Sequence, residues 1–198
     1  MTTEEKLIWV DLMDHEIGYG EKLETHQKNI LHRAFSVFLY SKGKILIQQR
    51  EKHKYHSGEL WANSCCSHPR KGEELLEAAY RRVKEELGIT ASEEELIDCG
   101  LHRIFINLCF HGAKFVDNQV SKVFLLWKDV ETEELVLQEE EIEECGWFTY
   151  EKALNTLNYE NDKYILNEAM NYFIVNRDAK PHCSVASAVK AATLTIDG

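Results

Sequence analysis

Two thiols and an imidazole occur within four positions in the first half of the chain. They belong to Cys65, Cys66 and His68, in a predicted loop from Trp61 to Gly72. A thiol can transfer a proton or bind a metal, and an imidazole can do the same near neutral pH. The loop leads directly into a helical pattern that is rich in carboxylates. This combination predicts an active site rather than a segment that only packs.

An amphipathic helix is predicted after Gly72. Its apolar residues recur at steps of three and four, and Gly88 suits the position just past a helix end. Neighbouring Glu85 and Glu86 point about 100° apart, so at most one of them should aim squarely at a site. The apolar stripe consists of Leu76, Ala79, Val83 and Leu87, and the polar side holds Glu73, Glu77, Arg81, Glu85 and Glu86.

The spacing from this loop through the helix resembles the Nudix signature. Two positions depart from it, because Ser67 replaces the first Gly and Arg82 replaces the Glu after Arg81. Both departures are typical of the type I isopentenyl-diphosphate isomerases, which the sequence also resembles at HRAFSVFLY (32–40), LIQQR (46–50) and NSCCSHP (63–69). The resemblance extends over roughly residues 7–175 and implies an α+β fold, a Nudix-type mixed β-sheet with packed helices.

The pattern along the chain predicts the same class. Strand-like runs precede the central helix, two more follow it, and helices come last. A helix is expected from a Thr149 cap to about Thr156, and another from an Asp162 cap to about Asn176. The predicted strands cover residues 7–12, 33–40, 45–49, 96–109 and 115–127, with turns at 41–44 and 111–114.

Composition places limits on the partners. The 198 residues are 44% apolar with two prolines, which indicates one globular domain at 1–176 and a loosely ordered tail at 177–198. The formal net charge of −11 argues against a nucleic-acid partner, although a local basic cluster can still bind a small anion.

The six cysteines follow no disulfide framework, and no signal peptide or membrane-spanning apolar run is evident. We therefore expect free thiols, a cytoplasmic protein and no membrane partner. A monomer and a homodimer are equally compatible with the sequence.

The resemblance implies a metal site at His26, His32 and His68. These residues come from separate segments, so spacing alone does not bring them together. The family's two strand carboxylates correspond to Asp117 and Gln119, and Gln119 can offer neither a negative charge nor a titratable proton. Three imidazoles with carboxylate oxygen favour Zn²⁺ or Mn²⁺.

The resemblance also implies a diphosphate site. Lys22, Arg50, Lys54 and Ser67 fall where the family contacts substrate oxygens, and Glu86 falls where it holds Mg²⁺. Cys66 matches the catalytic cysteine, with Cys65 as a packing neighbour. Trp61 and Tyr164 could offer a π face to a cationic intermediate. Phe105 is expected where the family has a tyrosine that assists the second carboxylate.

The predicted function is isomerisation of isopentenyl diphosphate to dimethylallyl diphosphate, by metal-assisted protonation and deprotonation, in isoprenoid biosynthesis. Two alternatives stay open. A diverged or non-catalytic prenyl-diphosphate binder is favoured by Gln119. A Nudix diphosphate hydrolase is disfavoured by Arg82, which occupies the position of a hydrolase carboxylate.

Overall fold

The computed structural model describes residues 6–54, 57–110 and 113–176. The predicted tail at 177–198 and the first two residues of the predicted turn at 111–114 lie outside this part. Within it, the chain forms nine strands and four α-helices. The strands are β1 (Lys6–Val10), β2 (Glu16–Glu21), β3 (His32–Ser41), β4 (Lys44–Arg50), β5 (Trp61–Ala62), β6 (Cys65–Ser67), β7 (Leu96–Phe110), β8 (Ala113–Trp127) and β9 (Ile142–Phe148). The helices are α1 (Lys22–Gln27), α2 (Leu75–Leu87), α3 (Tyr150–Thr156) and α4 (Glu160–Asn176).

The strands form one mixed sheet with β3 near its centre. The order β2-β1-β3-β4-β5 is extended by β8, which lies parallel to β3, and by β7, which pairs antiparallel with β8. The short β6 pairs with β3, and β9 pairs with β4. This arrangement confirms the predicted α+β class with a mixed sheet.

Two hydrophobic clusters cover the two faces of the sheet. Along β3, Val37 and Leu39 face the cluster that contains α2, whereas Phe38 faces the cluster that contains α3 and α4. The alternation follows from the two-residue period of a strand, which sends successive side chains to opposite faces. Most of β3 is therefore buried on both sides, which explains its nearly unbroken apolar run.

The β3–β4 turn and the C-terminal end of α2 both follow from the sequence. The predicted hairpin joins β3 to β4 through Lys42 and Gly43, both with positive φ (48° and 81°), as a type I′ turn requires. Gly88 ends α2 with a φ of 74°, and a Cβ there would lie 2.7 Å from Cβ of Val136. Both the hairpin and the helix end are confirmed.

The start of the last helix was predicted incorrectly. The helix begins at Glu160, so Asp162 lies in its first turn instead of capping it, and the Asp162 side chain is buried with 9% exposure. A cap would face solvent and satisfy backbone N–H groups. Asp162 instead points inward from the covering helix. None of the helices in the described ranges is long and apolar enough to cross a membrane.

Candidate active site

A cavity of about 150 Å³ lies on the face of the sheet that α4 covers. Its floor includes Cys66 on β6 and Ile104 on β7, and the first turn of α4 contributes Asp162. Nine of the predicted site residues line this single space: Lys22, His26, Arg50, Lys54, Cys66, Ser67, His68, Asp117 and Gln119. The fold therefore brings together residues that span almost a hundred positions of sequence.

Three imidazoles and one carboxylate converge at one wall of the cavity. The four residues are His26, His32, His68 and Asp117, and their potential ligand atoms all lie within 4.8 Å of one another. Nε2 of His32 lies 3.5 Å from Oδ1 of Asp117, and Nε2 of His26 lies 3.8 Å from the same oxygen. The geometry thus provides the donor set that a zinc or manganese ion uses.

Backbone contacts fix the orientation of the central imidazole. Nδ1 of His32 lies 2.9 Å from the carbonyl oxygen of Ile30, so it acts as the donor and leaves the Nε2 lone pair available. Nε2 of His32 and Nε2 of His68 are both buried, and neither has a hydrogen-bond partner among the described residues. Buried nitrogen atoms of this kind are costly unless a ligand satisfies them, so these residues fit a metal ion.

Burial also sets the protonation states that a metal requires. It lowers the pKa of His26 to about 4 and that of His68 well below the ordinary value, so both imidazoles are neutral at pH 7. Burial alone would raise the pKa of Asp117, but His32 and His68 outweigh it and hold that pKa well below its usual range. Neutral imidazoles and an ionised carboxylate are the forms that bind cations.

Four cationic side chains line the same cavity. The predicted Lys22, Arg50 and Lys54 are joined by Arg82, which sequence reasoning treated only as a departure from the Nudix pattern. Glu141 balances part of this charge through ion pairs with Lys54 and Arg82. The cavity can therefore bind an anion even though the whole protein is acidic.

The two adjacent cysteines occupy different environments. Cys65 is completely buried in the cluster beneath α2, whereas Cys66 lines the cavity. Burial raises the pKa of the Cys66 thiol to about 12, and the nearby Arg50 only partly opposes this shift. Cys66 is therefore a neutral thiol at pH 7, suited to holding a proton.

Gln119 occupies the position where the family has an acid, and its side-chain amide orients Asp117, a candidate metal ligand. Nε2 of Gln119 donates a hydrogen bond to Oδ1 of Asp117 at 2.5 Å. The expectation for Phe105 is wrong: it pairs with Asn118, is 48% exposed and points away from the cavity. Strand alternation instead places Ile104 and Ile106 beside Gln119. No hydroxyl from these two positions can assist Gln119.

Trp61 and Tyr164, which were expected to face the substrate, also lie outside the cavity lining. Trp61 packs edge-on against Phe148 at 5.4 Å and does not line the cavity, and Tyr164 is 52% exposed beside His102. Tyr159, which sequence reasoning missed, lines the cavity, and its hydroxyl lies 2.6 Å from the Ser57 hydroxyl. Tyr159 lies immediately before α4. Because the start of this helix was predicted too late in the sequence, neither Tyr159 nor Asp162 was predicted to reach the site.

Glu86 is buried, whereas its neighbour Glu85 faces solvent, as the angle between them predicted. The Glu86 carboxylate accepts a hydrogen bond from Arg82 and is 2% exposed, but it does not line the cavity. In this arrangement Arg82 engages one oxygen of the Glu86 carboxylate, Oε1. A magnesium ion on Glu86 therefore stays a prediction.

This buried pair gives a stability prediction. Glu86→Ala removes the buried partner of Arg82, which keeps only its more exposed ion pairs with Glu85 and Glu141, so we expect a cost of about 3 kcal/mol, at the low end for breaking a buried pair. Glu85→Ala removes an exposed partner of the same arginine and should cost about 0.5 kcal/mol or less. Urea denaturation of both variants measures the difference. Equal losses would mean that the Glu86–Arg82 pair is not the buried contact described.

The comparisons with known proteins decide the family. The NUDIX domain family matches residues 30–169. An isopentenyl-diphosphate Delta-isomerase 2 of Photorhabdus laumondii is 37% identical over 164 residues, which cover 81% of this chain and 86% of that protein. The chain belongs to the Nudix superfamily, in its type I isopentenyl-diphosphate isomerase branch.

A second relative of this branch and one solved structure agree with this assignment. An isopentenyl-diphosphate Delta-isomerase of Serratia proteamaculans is 51% identical over 94 residues, or 47% of this chain and 52% of that protein. The match thus spans about half the length of that relative. The crystal structure of DR0079 from Deinococcus radiodurans has a TM-score of 0.66 at 16% identity, covering 83% of this chain and 99% of that one, which supports the fold alone.

Proposed function

We propose that this chain interconverts isopentenyl diphosphate and dimethylallyl diphosphate, a reaction that supplies isoprenoid biosynthesis. The observation that carries the proposal is the position of Cys66. It lines the same cavity as the cationic side chains and two of the three imidazoles, His26 and His68. The isomerase names of the Photorhabdus and Serratia relatives support the same reaction.

We propose that the three imidazoles and Asp117 hold one zinc or manganese ion. The buried Nε2 atoms of His32 and His68 support this assignment. A bound ion would supply positive charge and Lewis acidity at the wall that carries Gln119. The magnesium ion expected at Glu86 would serve the diphosphate, but the Arg82 contact gives it no support in this arrangement.

The residues of the chain itself can perform the remaining tasks. Lys22 and Arg50 supply positive charge for the diphosphate, and the planar Arg50 guanidinium can bind two oxygens at once. The neutral Cys66 thiol can exchange a proton with a carbon atom of the bound substrate. Ile104 and Ile106 exclude water from the hydrocarbon part, which protects a cationic intermediate.

Product analysis separates this reaction from the two alternatives. The metal-supplemented protein is incubated with isopentenyl diphosphate, and both dimethylallyl diphosphate and released phosphate are quantified. We expect the isomer without phosphate release. Phosphate release would favour the hydrolase, and binding without either product would favour the non-catalytic binder.

Gln119 gives a second prediction. Restoring an acid through Gln119→Glu should raise the isomerisation rate of the metal-loaded protein by about tenfold or more, because a positioned acid or base contributes about 10²–10⁴-fold. Gln119→Leu, which offers no proton, should not increase the rate. A slower Gln119→Glu variant with unchanged metal content would show that this position does not accept an acid.

A further inference from the structure

Asp162 is a buried carboxylate that none of the expected roles explains. It lies in the first turn of α4, lines the cavity and is 9% exposed. An acidic residue near a helix N-terminus normally faces solvent, where it interacts favourably with the helix dipole. Burying it inside a polar cavity costs free energy, so the position suggests a use.

The other two cavity carboxylates already have partners. Asp117 belongs to the imidazole cluster, and Glu141 forms ion pairs with Lys54 and Arg82. Within the part of the chain that the structure describes, the Asp162 side chain forms no ion pair or hydrogen bond. Its oxygen atoms are therefore available to a molecule bound in the cavity.

Asp162 and Cys66 come from different walls of the cavity. Cys66 belongs to the sheet, on the short strand β6, whereas Asp162 belongs to the helix that covers this face. Both side chains nevertheless line the same cavity. A substrate chain lying between sheet and helix would have one proton-transfer group on each side.

We propose that Asp162 is the second proton-transfer residue of the isomerisation and works with Cys66 in place of the acid that Gln119 lacks. This inference rests on the proposed function. It makes Asp162 a catalytic residue and leaves Gln119 to orient Asp117.

The proposed isomerisation transfers one proton to the substrate and removes another from it. The S–H bond of Cys66 breaks, and its proton forms a new C–H bond at carbon 4 with the electron pair of the double bond. Carbon 3 is then positively charged. A C–H bond at carbon 2 breaks, its electrons form the new double bond, and the Asp162 carboxylate takes the proton. Water then returns the proton from the carboxylic acid to the thiolate.

The chemical state of Asp162 is compatible with this role. Burial raises its pKa to about 7, with the negative charge of Asp117 adding to the shift and Arg50 opposing it. A carboxyl group with that affinity can both accept and release a proton near neutral pH.

The test compares Asp162→Asn with a matched control on the same helical turn. Glu160→Gln also removes one carboxylate, but Glu160 is exposed and pairs only with Lys163 among the described residues. We expect Asp162→Asn to lower kcat by about 10² or more with KM changed less than about fivefold, and Glu160→Gln to stay within about twofold of the parent. Asp162→Ser serves as a second variant if the first folds poorly.

A rescue experiment separates a catalytic role from a structural one. Gln119→Glu added to Asp162→Asn should recover at least about tenfold in kcat, because it restores a carboxylate to the cavity. An Asp162→Asn variant that isomerises as fast as the parent would overturn the inference and leave the proposed function standing. A parent that forms no dimethylallyl diphosphate and incorporates no solvent deuterium into isopentenyl diphosphate in D₂O would overturn both.

Discussion

Cys66→Ala should reduce the isomerisation rate by about 10³-fold or more, because it removes a proton-transfer group that lines the cavity. Diphosphate binding should persist, since Lys22 and Arg50 are unchanged. Steady-state assay of the isomer, combined with titration of a non-reacting diphosphate analogue, measures both effects. The loss should therefore fall on kcat rather than on affinity.

The adjacent cysteine provides the control. Cys65→Ala removes a sulfur from the fully buried cluster beneath α2, so it should lower stability modestly and leave most of the isomerisation. Equal loss of activity from the two variants, with both still folded, would mean that the reacting thiol has been assigned incorrectly.

The pH dependence of alkylation tests the state of the same thiol. With a pKa of about 12, Cys66 should have few thiolates at pH 8, so iodoacetamide should label it slowly. The labelling rate should rise about tenfold for each pH unit while the protein stays folded, because the thiolate fraction rises in that proportion. Rapid labelling at pH 7 that does not depend on pH would contradict a neutral thiol.

His68→Ala should abolish the bound transition metal and most of the activity. The substitution removes one of four converging donors and opens the cluster to water. We expect metal content, measured by elemental analysis after zinc or manganese supplementation, to fall from about one ion per chain to near zero. Zinc should raise the Tm of the parent but not that of the variant, because a ligand stabilises only the state that binds it.

His53→Ala is the matched control for that experiment. His53 is an exposed loop imidazole bonded to Glu51 and lies outside the cluster. It should leave metal content, Tm and activity unchanged. A parent that takes up no transition metal under any supplementation would remove the ion from the account of this site.

Local sequence patterns predicted the strands, turns and helices because these elements depend mainly on interactions between residues close in sequence. The apolar run of β3, the Lys42-Gly43 turn and the α2 stripe ending at Gly88 all follow from short-range rules. The family resemblance then placed nine of the site residues in one cavity. The convergence of the three imidazoles could not be predicted from sequence spacing, because the positions of His26, His32 and His68 depend on how three separate segments pack.

The errors arose where side-chain direction depends on register. The family resemblance implied a site role for Phe105, but its pairing with Asn118 places its side chain on the outer face of β7. Asp162 was interpreted as a cap because Asp is common at that position, but the helix begins three residues earlier than a cap at Asp162 implies, and the side chain lies in the first turn and points inward. Both corrections concern the proton-transfer end of the cavity, where this chain also carries Gln119.

Solvent-deuterium incorporation tests the central claim most directly. The metal-loaded parent and Cys66→Ala are incubated with isopentenyl diphosphate in D₂O at neutral pH, and the recovered diphosphates are examined by NMR and mass spectrometry. The account predicts deuterium in the methyl group of newly formed dimethylallyl diphosphate with the parent, and none above background with the variant. A parent that releases phosphate, or returns isopentenyl diphosphate without deuterium, would contradict it.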